Sequence, residues 1–244
     1  MTITSSALPP LPKTAPKARW SSRGQPALSK LLWGLILAPT LAFGQWQAQP
    51  ERNGVKLWTE QGRDGLVRVR AQCQVVTRLS AFAAVMNDLE AVPQWMAHVE
   101  AVKRLDKPST TEDVIHTRFH LPWPARNRDA VTLSAWRQDP DFTLYLDIKD
   151  AAERYPQLKG YVRMHGVSGQ WRLAPLGQGL TEIRYTGSAD PAGWLPDWLV
   201  NKLSVSSTAK TLAGLCNRIT ELKYQDSQYP FIKEPPATRT RSER

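Results

Sequence analysis

Three histidines, His116, His120 and His165, are the side chains best suited to move protons near neutral pH. His116 and His120 stand four residues apart in an alternating stretch, on one face of a strand, with nothing spaced to orient either ring. They read as structural or surface residues, and no catalytic role is expected of them. The sequence carries no Gly-rich phosphate loop, no His-Glu-x-x-His and no Gly-x-Ser-x-Gly. Its two cysteines, Cys73 and Cys216, form no Cys-x-x-Cys and join no histidine cluster, so neither a metal centre nor a cofactor is expected. Cys73 falls on the apolar phase of a strand and Cys216 on the apolar face of a helix. They read either as two buried thiols or, if the domain is periplasmic, as a disulfide.

The elements that would position these groups follow from periodicity. Val67, Val69, Ala71, Cys73 and Val75 alternate with polar residues, which predicts a half-buried strand. Asp64-Gly65 before it is a hairpin turn that makes Val55–Glu60 the partner strand. Ser80 reads as the N-cap of a helix over Ala81–Leu89, and Pro93 opens a second short helical turn. Strands are predicted at Val99–Asp106, Asp113–Leu121, Ala130–Gln138, Thr143–Ile148, Gly160–His165, Gly169–Pro175 and Leu180–Ala189. A long amphipathic helix follows, with Pro196 in its first turn and Leu199, Leu203, Leu212, Leu215, Cys216, Ile219 and Leu222 broadly on one side. Residues past Tyr224 are polar and Pro-rich and are expected to be a disordered tail, 225–244. Strands without βαβ alternation, flanked by helices, make an α+β plan for one domain over residues 51–222.

The chain has 244 residues and a net charge of +10. Five of its basic residues (Lys13, Lys17, Arg19, Arg23 and Lys30) precede residue 45, where no acid stands, so the remainder is only weakly basic. Its Lys and Arg are scattered and do not interleave with stacking aromatics, which excludes the nucleic-acid binders. The uncharged run Leu31–Phe43 is short for a bilayer span, which takes about 20 residues, and fits the apolar core of an export signal. Ala42-Phe43-Gly44 supplies a cleavage site before Gln45. Residues 1–44 are therefore expected to be a signal peptide or membrane anchor with a disordered basic start. The domain would then be exported to the periplasm or held at the membrane.

Four stretches stand in the order and spacing of a known family. They are Trp123-Pro124-Ala125-Arg126-Asn127-Arg128-Asp129, Gly160-Tyr161-Val162-Arg163, Gly169-Gln170-Trp171-Arg172-Leu173-Ala174-Pro175-Leu176, and Asp190-Pro191-Ala192-Gly193-Trp194-Leu195-Pro196-Asp197-Trp198-Leu199-Val200-Asn201. With the long final helix, they resemble the StAR-related lipid-transfer (START) family over about Val55–Leu222. The resemblance implies a helix-grip fold, a curved antiparallel sheet wrapped around the C-terminal helix with an internal hydrophobic cavity. Only Gln45–Asn53 is available for the N-terminal helix of longer members, and Ser204–Ala209 puts small, polar groups in the final helix.

The resemblance also implies a site. Arg128 is expected to line the pocket, paired with Glu112 or Asp113 on the preceding strand, together with Arg163, Trp171, Leu199 and Leu203. The loop Asp150–Leu158, with Tyr155-Pro156 at its tip, is expected to open as a gate beside the start of the final helix, with Trp194 and Trp198 facing a membrane. The implied function is noncatalytic binding, and transfer, of a lipid or sterol-like molecule with transient membrane contact and no nucleic acid. The rivals are a polyketide cyclase/aromatase-like enzyme of the same superfamily and a ligand-free interaction module.

Overall fold

The computed structural model describes residues 44–236; the stretch expected to be an export signal or anchor and the last eight residues lie outside them. The chain opens with β1 (Gln47–Arg52), β2 (Val55–Gln61) and β3 (Val67–Val76). Two short helices follow, α1 (Leu79–Asn87) and α2 (Val92–Trp95). Then come β4 (Val99–Ser109), β5 (Glu112–Phe119), β6 (Arg128–Gln138), β7 (Leu144–Asp150), β8 (Val162–Arg163), β9 (His165–Gly177) and β10 (Leu180–Asp190). The long helix α3 (Asp197–Arg218) and the turn-like α4 (Leu222–Gln225) close the fold. All strands form one sheet, antiparallel along the order β1-β2-β3-β10-β9-β7-β6-β5-β4, with β8 pairing parallel to β6 off that path. Gln45–Asn53 is thus mostly strand and carries no helix.

Strand alternation sorts the sheet into two faces. Val69, Ala71 and Cys73 of β3, Leu144 and Leu146 of β7, Trp171 and Leu173 of β9 and Ile183 of β10 are buried in one core. They meet Phe82 and Val85 of α1, Trp95 of α2, and Ala209, Leu212 and Leu215 of α3. Phe82 stands edge-on to Trp136 at 5.7 Å between ring centres and lies 5.6 Å from Trp171. Such pairs add about 0.5–1.5 kcal/mol each to the burial itself. Leu222 lies outside this core, 84% exposed on α4.

Helix α3 is fastened to the β2–β3 hairpin at both ends. Near its start, Asn201 accepts a hydrogen bond from the Val67 amide (3.1 Å) and donates to the Gly65 carbonyl (3.2 Å). Near its end, Cys216 is disulfide-bonded to Cys73 of β3, the paired alternative of the two the sequence allows. Where α3 crosses α2, Gly214 is needed, because a Cβ there would come within 2.5 Å of the Trp95 carbonyl oxygen.

Two local expectations are corrected. Ser80 lies inside α1 and makes no cap; the amides of Leu79 and Ser80 donate instead to the two carboxylate oxygens of Glu234, at 3.0 and 2.8 Å. The residues after Tyr224 are also not a free tail as far as Glu234. Ile232 is buried, Phe231 packs 5.8 Å from Trp136, and the side chain of Gln225 donates to Thr77 Oγ1 (3.0 Å). Polarity misled here because this segment is held by hydrogen bonds and two or three apolar anchors, without periodicity to mark it.

Candidate functional site

Between the concave face of the sheet and helices α1–α3 lies a cavity of about 290 Å³. Its wall is built from alternate residues of adjacent strands: Ile115, Thr117 and Phe119 of β5, Ala130, Thr132, Ser134 and Trp136 of β6, and Leu146 and Ile148 of β7. Trp171 and Tyr185 close the far side, while Met86, Val92 and Met96 roof it from the α1–α2 region. Ser207, Thr208 and Thr211 face it from α3. The small, polar stretch of the final helix therefore leaves room where apolar bulk would have filled the space. Along the sheet the cavity runs from β4 to β10, five strand steps or about 24 Å.

Besides the Ser and Thr hydroxyls of β5, β6 and α3, the wall carries stronger polar groups at two places. At the β4–β5 end, Arg104 Nε lies 2.6 Å from Asp113 Oδ1, and Arg104 Nη2 donates to Asn87 Oδ1 at 2.7 Å. Lys107 reaches the same Asp113 oxygen at 3.4 Å. At the β10 end stands Tyr185, whose hydroxyl has no hydrogen-bond partner among the described residues. Burial pushes its pKa up to about 12, so it remains a neutral donor at physiological pH. A cross-strand glycine pair, Gly169 and Gly187, makes space for that hydroxyl, since a Cβ at either position would press on it.

The predicted site residues divide among different places. Trp171 and Asp113 line the cavity. Glu112, one residue before Asp113, belongs to the other face of β5. Arg128 shares the cavity-facing phase of β6 but lies beyond the cavity's end, 2% exposed, and forms no pair with Glu112 or Asp113. Its guanidinium donates to the carbonyls of Pro191 (3.4 Å), Ala192 (3.3 Å) and Arg126. Among the described residues no carboxylate lies within 4 Å of it, and burial, then the neighbouring Arg126, lowers its pKa. Arg128 thus ties the loop before β6 to the loop after β10. Asp113 is engaged instead by Arg104 and Lys107, which adjacency in sequence did not reveal. Leu199 and Leu203 are half-buried on α3 and do not border the cavity.

Arg163 belongs to a second cluster on the opposite face of the sheet. It donates to Asp129 Oδ1 and Oδ2 at 3.0 and 2.7 Å, and His116 Nε2 lies 2.9 Å from Oδ2. The same guanidinium takes the carbonyls of Ala152 (2.6 Å), Tyr155 (2.9 Å) and Pro156 (3.1 Å). Burial alone would raise the Asp129 pKa, but these hydrogen bonds and charges hold it below the ordinary carboxylate value. The Tyr155 ring rests 5.0 Å from His116. Tyr155-Pro156 therefore covers the convex face, pinned by Arg163, and does not adjoin the cavity as the gate reading required. Trp194 and Trp198 are 88% and 65% exposed, and so is Trp123, at 92%, in the loop that Arg128 ties to Trp194's. No cluster of three or more His, Cys, Asp or Glu that could hold a metal exists among the described residues.

A sheet gripping a long C-terminal helix over such a cavity agrees with the comparisons. The family model "START domain" matches residues 34–224. The chain belongs to the START domain family. An uncharacterized protein of Pseudomonas aeruginosa is 27% identical over 171 residues, spanning 70% of this chain and 84% of that protein. Human START domain-containing protein 10 is 26% identical over 163 residues, 65% of this chain and 56% of the relative's own length. The crystal structure of a STAR-related lipid transfer protein from Xanthomonas axonopodis superposes with a TM-score of 0.67 at 26% identity. It covers 72% of this chain and 99% of that fragment. Human STARD10 superposes with a TM-score of 0.65 at 22% identity, covering 73% of this chain and 74% of that one, which speaks to the helix-grip fold alone. This START domain is a hydrophobic-ligand-binding domain. Sequence reasoning missed Arg104, Asn87 and Tyr185; their only signal was a cavity-facing phase that becomes readable once strand partners are known.

Proposed function

We propose that this START domain binds one lipid-like molecule in the cavity and carries it, without catalysis, between membrane surfaces of the bacterial envelope. The observation that carries the reading is the apolar cavity itself, closed by α3 through hydroxyl-bearing residues and lined by Trp136, Trp171, Phe119 and Met96. Its one carboxylate, Asp113, is already engaged by Arg104 and Lys107, while His116 lies on the opposite face, so the wall holds no acid–base pair poised over a substrate. Exposed Trp123, Trp194 and Trp198 give an amphipathic fringe suited to a bilayer interface, on loops that Arg128 ties together. The Cys73–Cys216 disulfide supports residence in an oxidising compartment, in line with the export expected from Leu31–Phe43.

The test is mass spectrometry of organic extracts from purified protein, with an acyl-chain fluorescent probe titrated in parallel. One lipid per chain and saturable displacement are expected. Thr208→Trp, which fills the cavity from α3, should abolish both while leaving the circular dichroism spectrum intact. Empty extracts and no probe binding by the wild-type chain would sink the reading in favour of an interaction module.

A further inference from the structure

The β4–β5 end of the cavity holds more positive than negative charge. Arg104 and Lys107 share the single carboxylate of Asp113, and among the described residues no other acid lies within 4 Å of either side-chain charge, the adjacent Asp106 accepting instead from the Lys107 backbone amide. Asn87 is neutral and already accepts from Arg104 Nη2. Arg104 Nε is buried yet makes no hydrogen bond, because Asp113 Oδ1, though close, lies off its N–H direction. Asp113 therefore meets Nε as a close ion pair, and hydrogen bonds that a ligand makes to a charged guanidinium are among the stronger ones. The rest of the cavity, out to Trp171, offers chiefly aliphatic and aromatic wall. Arg104 and Lys107 are themselves 34% and 50% exposed, so this end meets solvent.

Resting on the lipid-binding reading above, we propose that the ligand is an anionic amphiphile, its carboxylate or phosphate head held at Arg104 by the β4–β5 end and its apolar tail lying along β6, β7 and β9. A singly charged head completes the charge balance of Arg104, Lys107 and Asp113. It also places a charged acceptor beside the Arg104 guanidinium, whose side chain is 34% exposed. A neutral ester or sterol would supply neither the charge nor as strong an acceptor. Lys107 sits at the rim and strengthens the local potential without the fixed fork geometry of the guanidinium.

The experiment compares cis-parinaric acid with its methyl ester on the intact disulfide-bonded protein at low and moderate salt. The acid should bind about 10-fold more tightly than the ester, and the preference should shrink as salt rises. In Arg104→Gln the two should bind within about twofold of each other, whereas Arg104→Lys should keep part of the preference. Asp113→Asn, which removes the competing carboxylate, should widen it. If Arg104→Gln fails to fold, the double change Arg104→Gln with Asp113→Asn, which removes both partners of the ion pair, takes its place with the same expectation. Lysophosphatidic acid set against the parinaric acid distinguishes the two head groups: the tighter of the two names the natural anion. Equal binding of acid and ester by the wild-type protein would overturn the charge assignment while leaving the cavity reading in place. Failure of every probe would overturn both.

Discussion

Asn127-Arg128-Asp129 shows what a motif conveys and what it withholds. Neighbours on a strand point to opposite faces, so Arg128 and Asp129 serve two sites that never meet. The family resemblance implied an inward arginine, but its partners were not legible, because they are backbone carbonyls, two of them in a loop more than 60 residues away. Asp129 is the acid at the centre of the other cluster, 0% exposed between Arg163 and His116. Replacing it by Asn would leave the Arg163 charge uncompensated. Breaking one side of a buried pair costs about 3–5 kcal/mol, and that loss is expected in urea denaturation of Asp129→Asn. Because the folded state holds this carboxyl below its usual pKa, its contribution is present above about pH 4 and fades as the pH falls further. The variant's stability should fall less steeply with acid than that of the wild type, and parallel slopes below pH 4 would contradict the assignment.

At the scale of elements, the strands other than β1 and the long helix were readable from period and turn chemistry, usually to within two or three residues, whereas β1 was not foreseen. Alternation in β3 and the Asp64-Gly65 turn specified their hairpin without any tertiary knowledge. The start of α1 was not readable, since its cap comes from Glu234, 154 residues from Ser80. Losing an N-cap costs about 0.5–2 kcal/mol, and Glu234→Ala should lower stability within that range. Hydrogen exchange should then quicken first at Leu79 and Ser80, and unchanged exchange there would show that the cap is dispensable. The Ser204–Ala209 stretch was legible as unusual but not as cavity wall, because composition records missing bulk and says nothing of where the space goes.

For the whole molecule, α3 is a fixed post more than a swinging door. Asn201 holds its first turns to the β2–β3 hairpin, and the disulfide holds its last ones. The sequence allowed two thiols or a bridge because two cysteines alone say nothing about distance; the packing of β3 against α3 decides it. Bridging cysteines 143 residues apart removes about 5 kcal/mol of chain entropy from the unfolded state in the loop-closure account. Cys73→Ala with Cys216→Ala should therefore shift the urea midpoint down by a matching amount, and dithiothreitol should have no further effect on that variant. An unchanged midpoint would mean that packing alone secures the helix.

The order of strands in the sheet also sets a timetable. β3 has β2 on one side, but its other neighbour is β10, and α1 waits for a carboxylate near the end of the described chain. As the polypeptide emerges from the ribosome, its first hairpin exposes an unpaired edge until nearly everything else has been made, and long-range pairings of this kind form slowly. A nascent chain that cannot finish folding early stays threadable, which is the state that the export proposed above would require.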